Sequence, residues 1–581
     1  MRNSRRSLTT PSAKYLAFVV ASALALGAAS IWSPKFVTPA CAQIPPPAQL
    51  EIEGVQSVAS SRSTIRFDDQ ASRSVASADE PVAVAIHRPL AGHVGAFQDD
   101  GDGFDPADDA REAEHTANRS NRRHRMRKAD FPAGTDNGAV IPPDTQGTVG
   151  PNHLMVALNS NVMIETRKGV VLSSVPIASF WSSLGGISEA FDPRVLFDRY
   201  ANRWIVSAGA NAATPTACIL VGVSQTSDPT GGWNLYKVSV DANGASWADY
   251  PTLGFNGDWI VVQTNVFTVS QGAFVASNIY AFDKADLYAG GIGQYTVFHD
   301  QTGFTDYPAV THDDTLSTEY LVRNWDGASG TLRVSTITGS VGAEVLTTGV
   351  AFPKAAKGWR DAGALNFAPQ LGSTARIDTD DDRIGNCVYR NGSLWAAQTV
   401  YLSNPTRASA QWWQINTAGG SVGVVQQLGQ RDDASGAFDY AYPTLDVNAN
   451  DDMMIGYSRF GASQYASANY SFRRHTDPPN TLKADTVFKA GEAPYFKDFG
   501  TGDNRWGDYS NVAVDPINDI DIWTIQEYAG TNNTWGTWWG TIALSKTVAT
   551  PTPTQTPKPR HTPKPRRTPT ANPTPTSCLG L

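Results

Sequence analysis

Apolar and polar residues alternate along most of this chain in runs of about five to eight, broken by Gly, Asn, Asp and Pro. A period of two predicts half-buried β-strands. The clearest pair of runs lies near the end. Arg505-Trp-Gly-Asp-Tyr-Ser-Asn-Val-Ala-Val-Asp-Pro516 gives a polar lead-in and a short apolar strand, and Ile522 to Tyr528 gives a second strand rich in aromatics. Variants recur upstream. They are Phe191 to Asp198 with Asn202 to Val206, Asp249 to Asn256 with Asp258 to Val262, Asp306 to Val310 with Glu319 to Val322, and Tyr442 to Asn448 with Asp451 to Ile455. A fainter copy begins at Pro143-Asp144, and a degenerate one runs from Gln370 to Asp378 and then from Arg383 to Tyr389. About seven copies, roughly 50–75 residues apart, predict radial repetition of one supersecondary unit.

The second copy shows what the unit is. Arg194 to Asp198 predicts an inner strand, Arg203 to Ala208 a second, Ala217 to Ser224 a third and Trp233 to Val240 an outer strand. Four antiparallel strands make one propeller blade. The fold class expected is therefore all-β, a β-propeller of seven blades, with six as the alternative. The last copy is one strand short, and an open blade edge invites aggregation. Residues before Asp144, such as Gly138 to Ile141, are expected to supply that strand and close the ring.

The flanks have a different texture. Residues 1–42 form an export signal on this reading: Arg2, Arg5, Arg6 and Lys14, then an apolar run from Tyr15 to Ile31, then Ala40-Cys41-Ala42 as a cleavage site. Residues 43–135 show no sustained period. They hold an acidic block from Asp99 to Asp109 and a basic one from Arg119 to Lys128, and are expected to be disordered. Residues 136–546 form the propeller, and residues 547–581 a Pro/Thr-rich extended tail. The expected location is outside the cell, secreted or on its surface.

Composition narrows the function. Charged residues are only 17%, with 50 Gly and 16 Trp, and the net charge is −9. That charge gives no electrostatic reason to expect nucleic acid as a partner. No segment is long and apolar enough to predict a membrane span, and the body is expected to be monomeric. Cys218 and Cys387 fall in different repeats and read as two buried thiols, with a pairing between them the alternative. No zinc spacing, nucleophile elbow or phosphate loop is present. No cofactor is expected. Asp378 to Asp382 leaves calcium as an option, with a solvated loop the plainer reading.

Candidate chemistry follows from the repeat. If the copies are in register, their polar lead-ins reach one rim of the propeller. That gathers Asp192, Arg194, Asp249, Tyr250, Asp306, Tyr307, Tyr442, Arg505, Asp508 and Tyr509, together with Asp144. Carboxylates, guanidinium groups and flat aromatic faces suit sugar hydroxyls and pyranose faces. The competing reading is structural: Asp beside Tyr-Pro satisfies turn amides, and Pro fixes the strand start. Arg194, Arg376, Arg505, His153, Glu319 and Glu527 depart from the repeat. Glu319-Tyr320 and Glu527-Tyr528 are the pairs on which hydrolysis of a glycoside would have to rest.

The body also resembles a group of secreted bacterial β-propeller proteins of largely unassigned function, loosely related to sialidase-like propellers. Pro142-Pro-Asp-Thr-Gln-Gly-Thr-Val-Gly150, Asp192 to Asp198, Asp249-Tyr-Pro251 and Arg505 to Ser510 carry the resemblance. Thr226-Ser-Asp-Pro-Thr-Gly-Gly-Trp233 is similar to the Asp-box turn of sialidase blades, with Thr226 and Thr230 as departures. The resemblance implies a propeller and export. The leading expectation is a propeller that binds a glycan or protein through one rim. A sialidase-like glycoside hydrolase or lyase, and a structural envelope protein, are the alternatives.

Overall fold

The computed structural model describes residues 49–75, 84–85, 127–360, 366–419, 422–544 and 571. The expected export signal, the acidic block and nearly all of the Pro/Thr-rich tail lie outside the described residues. No helix among the described residues is long and apolar enough to cross a membrane.

The strands pair as antiparallel units of four, and seven such units follow one another among the described residues. The first runs from Gln146–Val149 at its inner edge to Val171–Pro176 at its outer edge. The second runs from Ala190–Asp198 to Gly232–Ser239, and the third from Ser246–Phe255 to Gln294–Asp300. The fourth begins at Tyr307–Pro308 and ends at Val345–Ala351, and the fifth spans Ile384–Arg390 to Val425–Arg431. The sixth spans Asp439–Val447 to Thr486–Lys489, and the seventh opens with Asn511–Val514. This is a β-propeller. Apolar clusters packed between neighbouring units form its core. Trp204, Trp233 and Trp181 fill one of them, and Trp506, Trp523, Trp535 and Trp539 another.

The ring closes through the N-terminal side of the chain. Arg127–Thr135 pairs with Trp535–Ile542 as the fourth strand of the seventh unit, Thr135 opposite Gly536. The closing strand is therefore upstream of Gly138–Ile141, the segment expected from sequence. Val140–Ile141 instead pairs in parallel with Val84–Ala85. Asp130-Phe-Pro-Ala-Gly134 hides its period because Pro132 and Gly134 sit at a register shift against Gly536–Trp538.

Two further expectations need correction. Part of the 43–135 segment is ordered: Leu50–Glu53, Val55–Val58 and Ser61–Arg66 add a fifth strand to the fourth, third and second units in turn. A helix, Phe67–Val75, follows. This belt was invisible as a periodic pattern because it is held chiefly by backbone pairing, which needs no apolar alternation; Ile65 and Phe67 are its buried anchors. The degenerate fifth copy was also out of step. Ile384–Arg390 is the inner strand, and Ser373–Ile377 belongs to a small hairpin joined to the sixth unit through Gln370 and Gly461.

The repeated lead-ins take one backbone form. Asp144, Asp192, Tyr250 and Tyr442 all have positive φ, between 49° and 57°. In three of the units the ladder slips at this point, between Phe191 and Arg194, Asp249 and Thr252, and Ala441 and Thr444. Each slip is a bulge, and Pro193, Pro251 and Pro443 occupy it. Proline is tolerated within a sheet at a bulge because no ladder hydrogen bond is lost there.

Candidate functional site

The bulges bring the lead-ins to one rim, where side chains stitch each unit to the next. Asn159 of the first unit donates to Asp144 at 2.8 Å and accepts from the Asp192 amide of the second at 2.7 Å. Asp192 accepts from the Tyr250 amide of the third at 3.2 Å. Asp144 accepts from the Asp508 amide of the seventh at 2.9 Å. Thr399 of the fifth accepts from the Tyr442 amide of the sixth at 3.2 Å. Asp144 and Asp192 therefore serve amides of neighbouring units rather than amides of their own turns.

Burial gives these carboxyls an unusual state. Both are fully enclosed. Desolvation, then the charges of Asp508 and Asp192, push Asp144 well above the usual carboxylate range. Desolvation and the charges of Asp249 and Asp508 raise Asp192 to about 7, although Asp144 and Arg194 oppose the rise.

The other expected residues divide into three places. Arg194 sits at the axis. Its guanidinium lies 3.3 Å from the Tyr509 ring centre, 4.9 Å from that of Tyr250 and 5.9 Å from that of Tyr307. The Tyr509 hydroxyl donates to the Pro193 carbonyl at 3.0 Å. Four residues from four units thus form a partition across the axis. Asp306 is held away from it, bonded to Arg333 at 2.9 Å. Asp249 is buried and acts on Asp192 through its charge. Arg505 donates to Asp508 at 2.9 Å and keeps Asp378 and Asp503 each 3.9 Å from its Nε.

A small pocket opens on the rim side of the partition. Tyr250, Tyr442 and Tyr509 give it aromatic walls, and Asp380, Asp381, Asp508 and Arg383 give it charge. The Tyr442 hydroxyl donates to the Asp378 carbonyl at 2.9 Å, which fixes its ring. Arg383 grips Asp381 with two bonds, at 2.7 and 2.6 Å, and lies 4.3 Å from the Tyr250 ring centre. Sequence reasoning treated Asp378 to Asp382 only as a possible cation loop and did not place Arg383 at the rim. The signal was present in the Asp-rich run just before an inner strand, but the mistaken register of the fifth copy hid it. Among the described residues no group of three or more His, Cys, Asp or Glu is arranged to hold a metal ion.

The two glutamates are both buried. Glu319 is fully buried, which pushes its carboxyl well above the usual range, and Tyr320 stacks on Tyr389 at 5.7 Å. Glu527 accepts from the Gly507 amide at 2.9 Å, behind the partition-forming lead-in. Neither lines the rim pocket. The Asp-box-like turn is a structural element too: Trp233 is wholly buried and donates to the Pro229 carbonyl at 2.8 Å. Cys218 and Cys387 are both free and buried.

No protein-family model and no curated protein sequence matches the chain. Solved structures do. An exo-β-1,3-galactanase from Phanerochaete chrysosporium is 11% identical, covers 59% of this chain and 80% of its own, and overlays with a TM-score of 0.26. An endo-arabinase from Bacteroides thetaiotaomicron is 10% identical over 61% of this chain and 96% of its own, with a TM-score of 0.26. The phage phi92 endosialidase is 8% identical over 63% and 68%, with a TM-score of 0.28. These are glycan-acting enzymes by name. At such scores the overlays say nothing about this chain's site, and the propeller assignment stands on the strand pairing above.

Proposed function

We propose that this protein is an exported β-propeller that recognises a carbohydrate at the rim pocket. The supporting observation is the convergence there of three tyrosine rings, three carboxylates and one arginine, contributed by separate units. Aromatic faces accept the C–H surface of a sugar ring, while carboxylates and a guanidinium pair with its hydroxyls. The group set is ordered before any ligand arrives, because Arg383, Arg505 and Tyr442 are already fixed by Asp381, Asp508 and Asp378. Pre-organisation of this kind lowers the cost of binding. A glycan array probed with the full-length protein, alongside Arg383→Ala and Tyr442→Ala, tests the reading. Selective binding that both substitutions weaken at least tenfold supports it; no glycan bound, or binding indifferent to both, defeats it.

A second reading, hydrolysis of a glycoside, is favoured by one specific observation. Asp144, whose carboxyl burial pushes well above the usual carboxylate range, accepts from the Asp508 amide, and Arg505 donates to the Asp508 carboxyl. Carboxyl groups driven to different protonation states are how glycosidases divide acid and base roles. Turnover of a panel of fluorogenic glycosides, lost in Asp508→Asn, would favour hydrolysis over recognition alone. Absence of turnover with intact glycan binding would leave recognition.

A further inference from the structure

Below the partition the inner strands of all seven units surround a second space, the axial cavity. It runs from Arg194 and Tyr307 to Arg199, His312 and Pro516. Five residues of strand separate the two ends, roughly 16 Å at 3.3 Å per residue. Leu196, Leu253, Val310, Val388 and Val512 make its middle apolar. Its carboxylate, Asp446, is already satisfied. It accepts from the Val447 and Val514 amides at 2.7 Å each and pairs with His312 at 2.8 Å.

Arg194 is not satisfied. It is 1% exposed and its Nε donates to the Pro251 carbonyl at 2.9 Å. Neither Nη1 nor Nη2 makes a well-formed hydrogen bond, although the Tyr250 hydroxyl is close by. The rings around it supply faces, not anions, and burial keeps the Tyr250 and Tyr509 phenols protonated. Asp192, the carboxyl beside it, holds its own proton through part of the neutral range. A desolvated guanidinium with open donors is costly unless an anion meets it. Thr311 Oγ1, on the same wall and 2% exposed, is a second polar atom without a partner.

We propose that the axial cavity binds a small monocarboxylate with a short apolar body. The carboxylate takes Nη1 and Nη2 of Arg194 in the forked geometry that guanidinium groups favour. The hydrocarbon lies along the leucine and valine wall. A phosphate or sulfate fits poorly: it carries more charge than one arginine balances, and its remaining oxygens would face apolar side chains. The site is separate from the rim pocket, since Arg194 and Tyr307 line one space and Tyr250, Tyr442 and Arg383 the other.

Saturation-transfer NMR and calorimetry with hexanoate, using the full-length protein, test this. Hexanol serves as the uncharged match and sulfate as the anion without a tail. Saturable binding of hexanoate is expected, at least tenfold tighter than either control and at least tenfold weaker in Arg194→Met. If Arg194→Met fails to fold by circular dichroism, Val310→Phe, which narrows the cavity without touching the partition, is expected to abolish binding instead. Equal affinity for hexanol, undiminished binding in the folded variants, or no saturable binding of hexanoate overturns the proposal.

Discussion

Asp192→Asn removes one titrating proton from beside the partition without changing its shape. In the folded protein Asp192 has been moved from its usual value of 3.8 to about 7, chiefly by burial. The native state therefore holds a proton that the unfolded chain releases between those two pH values. With more protons bound in the native state, stability falls as pH rises through that window. Three pH units at 1.36 kcal/mol each amount to about 4 kcal/mol, absent near pH 4 and complete a little above pH 7. Asn keeps an acceptor for the Tyr250 amide and has no proton to lose. Urea unfolding followed by tryptophan fluorescence from pH 4 to pH 8 reads the effect. The variant should lose less stability than the wild type across that range, the two curves diverging by roughly 2–4 kcal/mol at pH 8. Parallel curves would mean that Asp192 ionises normally and that the partition is wetter than its enclosure implies.

Other consequences are open to measurement. Ile65→Ala, which empties the belt's buried anchor beside Trp233, should cost about 2–4 kcal/mol in unfolding free energy. A loss near zero would show that the belt is held by its backbone alone. Asp519→Ala should lower the melting temperature and remove part of its salt dependence, because Asp519 joins Arg199 of the second unit to Arg390 of the fifth. The expected cost is about 1–3 kcal/mol, and an unchanged melt would show that the tie contributes nothing. With Cys41 and Cys578 replaced by Ser, a thiol reagent at pH 8 should label neither remaining cysteine until the protein is unfolded. Burial pushes the Cys218 thiol up to about 11 and Cys387 well above its usual value. Rapid labelling of the native protein would contradict that burial.

How much of this was legible in the sequence depended on what kind of force held each part. Strands that bury one face leave an alternating trace, so in five copies the runs overlap the observed inner and second strands, although their ends fall short by up to six residues, as Asp258 to Val262 does of Trp259–Thr268. Arg194 and Asp198, for example, both fall inside Ala190–Asp198. The belt leaves no such trace, since Val55–Val58 is exposed at every position and is held by pairing with Gln294 to Val297. The fifth copy failed for another reason: Asp378 to Arg383 looks like the turn inside a blade, yet it is the lead-in to an inner strand. Lead-ins of neighbouring units do meet, through Asn159, Asp144 and Asp192, but sequence could not tell which side chains face a pocket. Asp306 and Tyr307 are neighbours, and one binds Arg333 while the other stands over the axis. That separation follows from the alternation of side chains along a strand, whose phase depends on bulges that only the pairing reveals.

The closing strand carries a temporal consequence. Arg127–Thr135 leaves the ribosome some 400 residues before its partner, Trp535–Ile542. Until that partner emerges, the strand that precedes the first unit has no sheet to join, and the earlier units form a stack with two open ends. The contact that shuts the ring is among the most distant in the chain, and distant contacts slow folding. A nascent chain stalled before Trp535 should therefore remain sensitive to protease throughout, and resistance should arrive in a single step once the last strand is released.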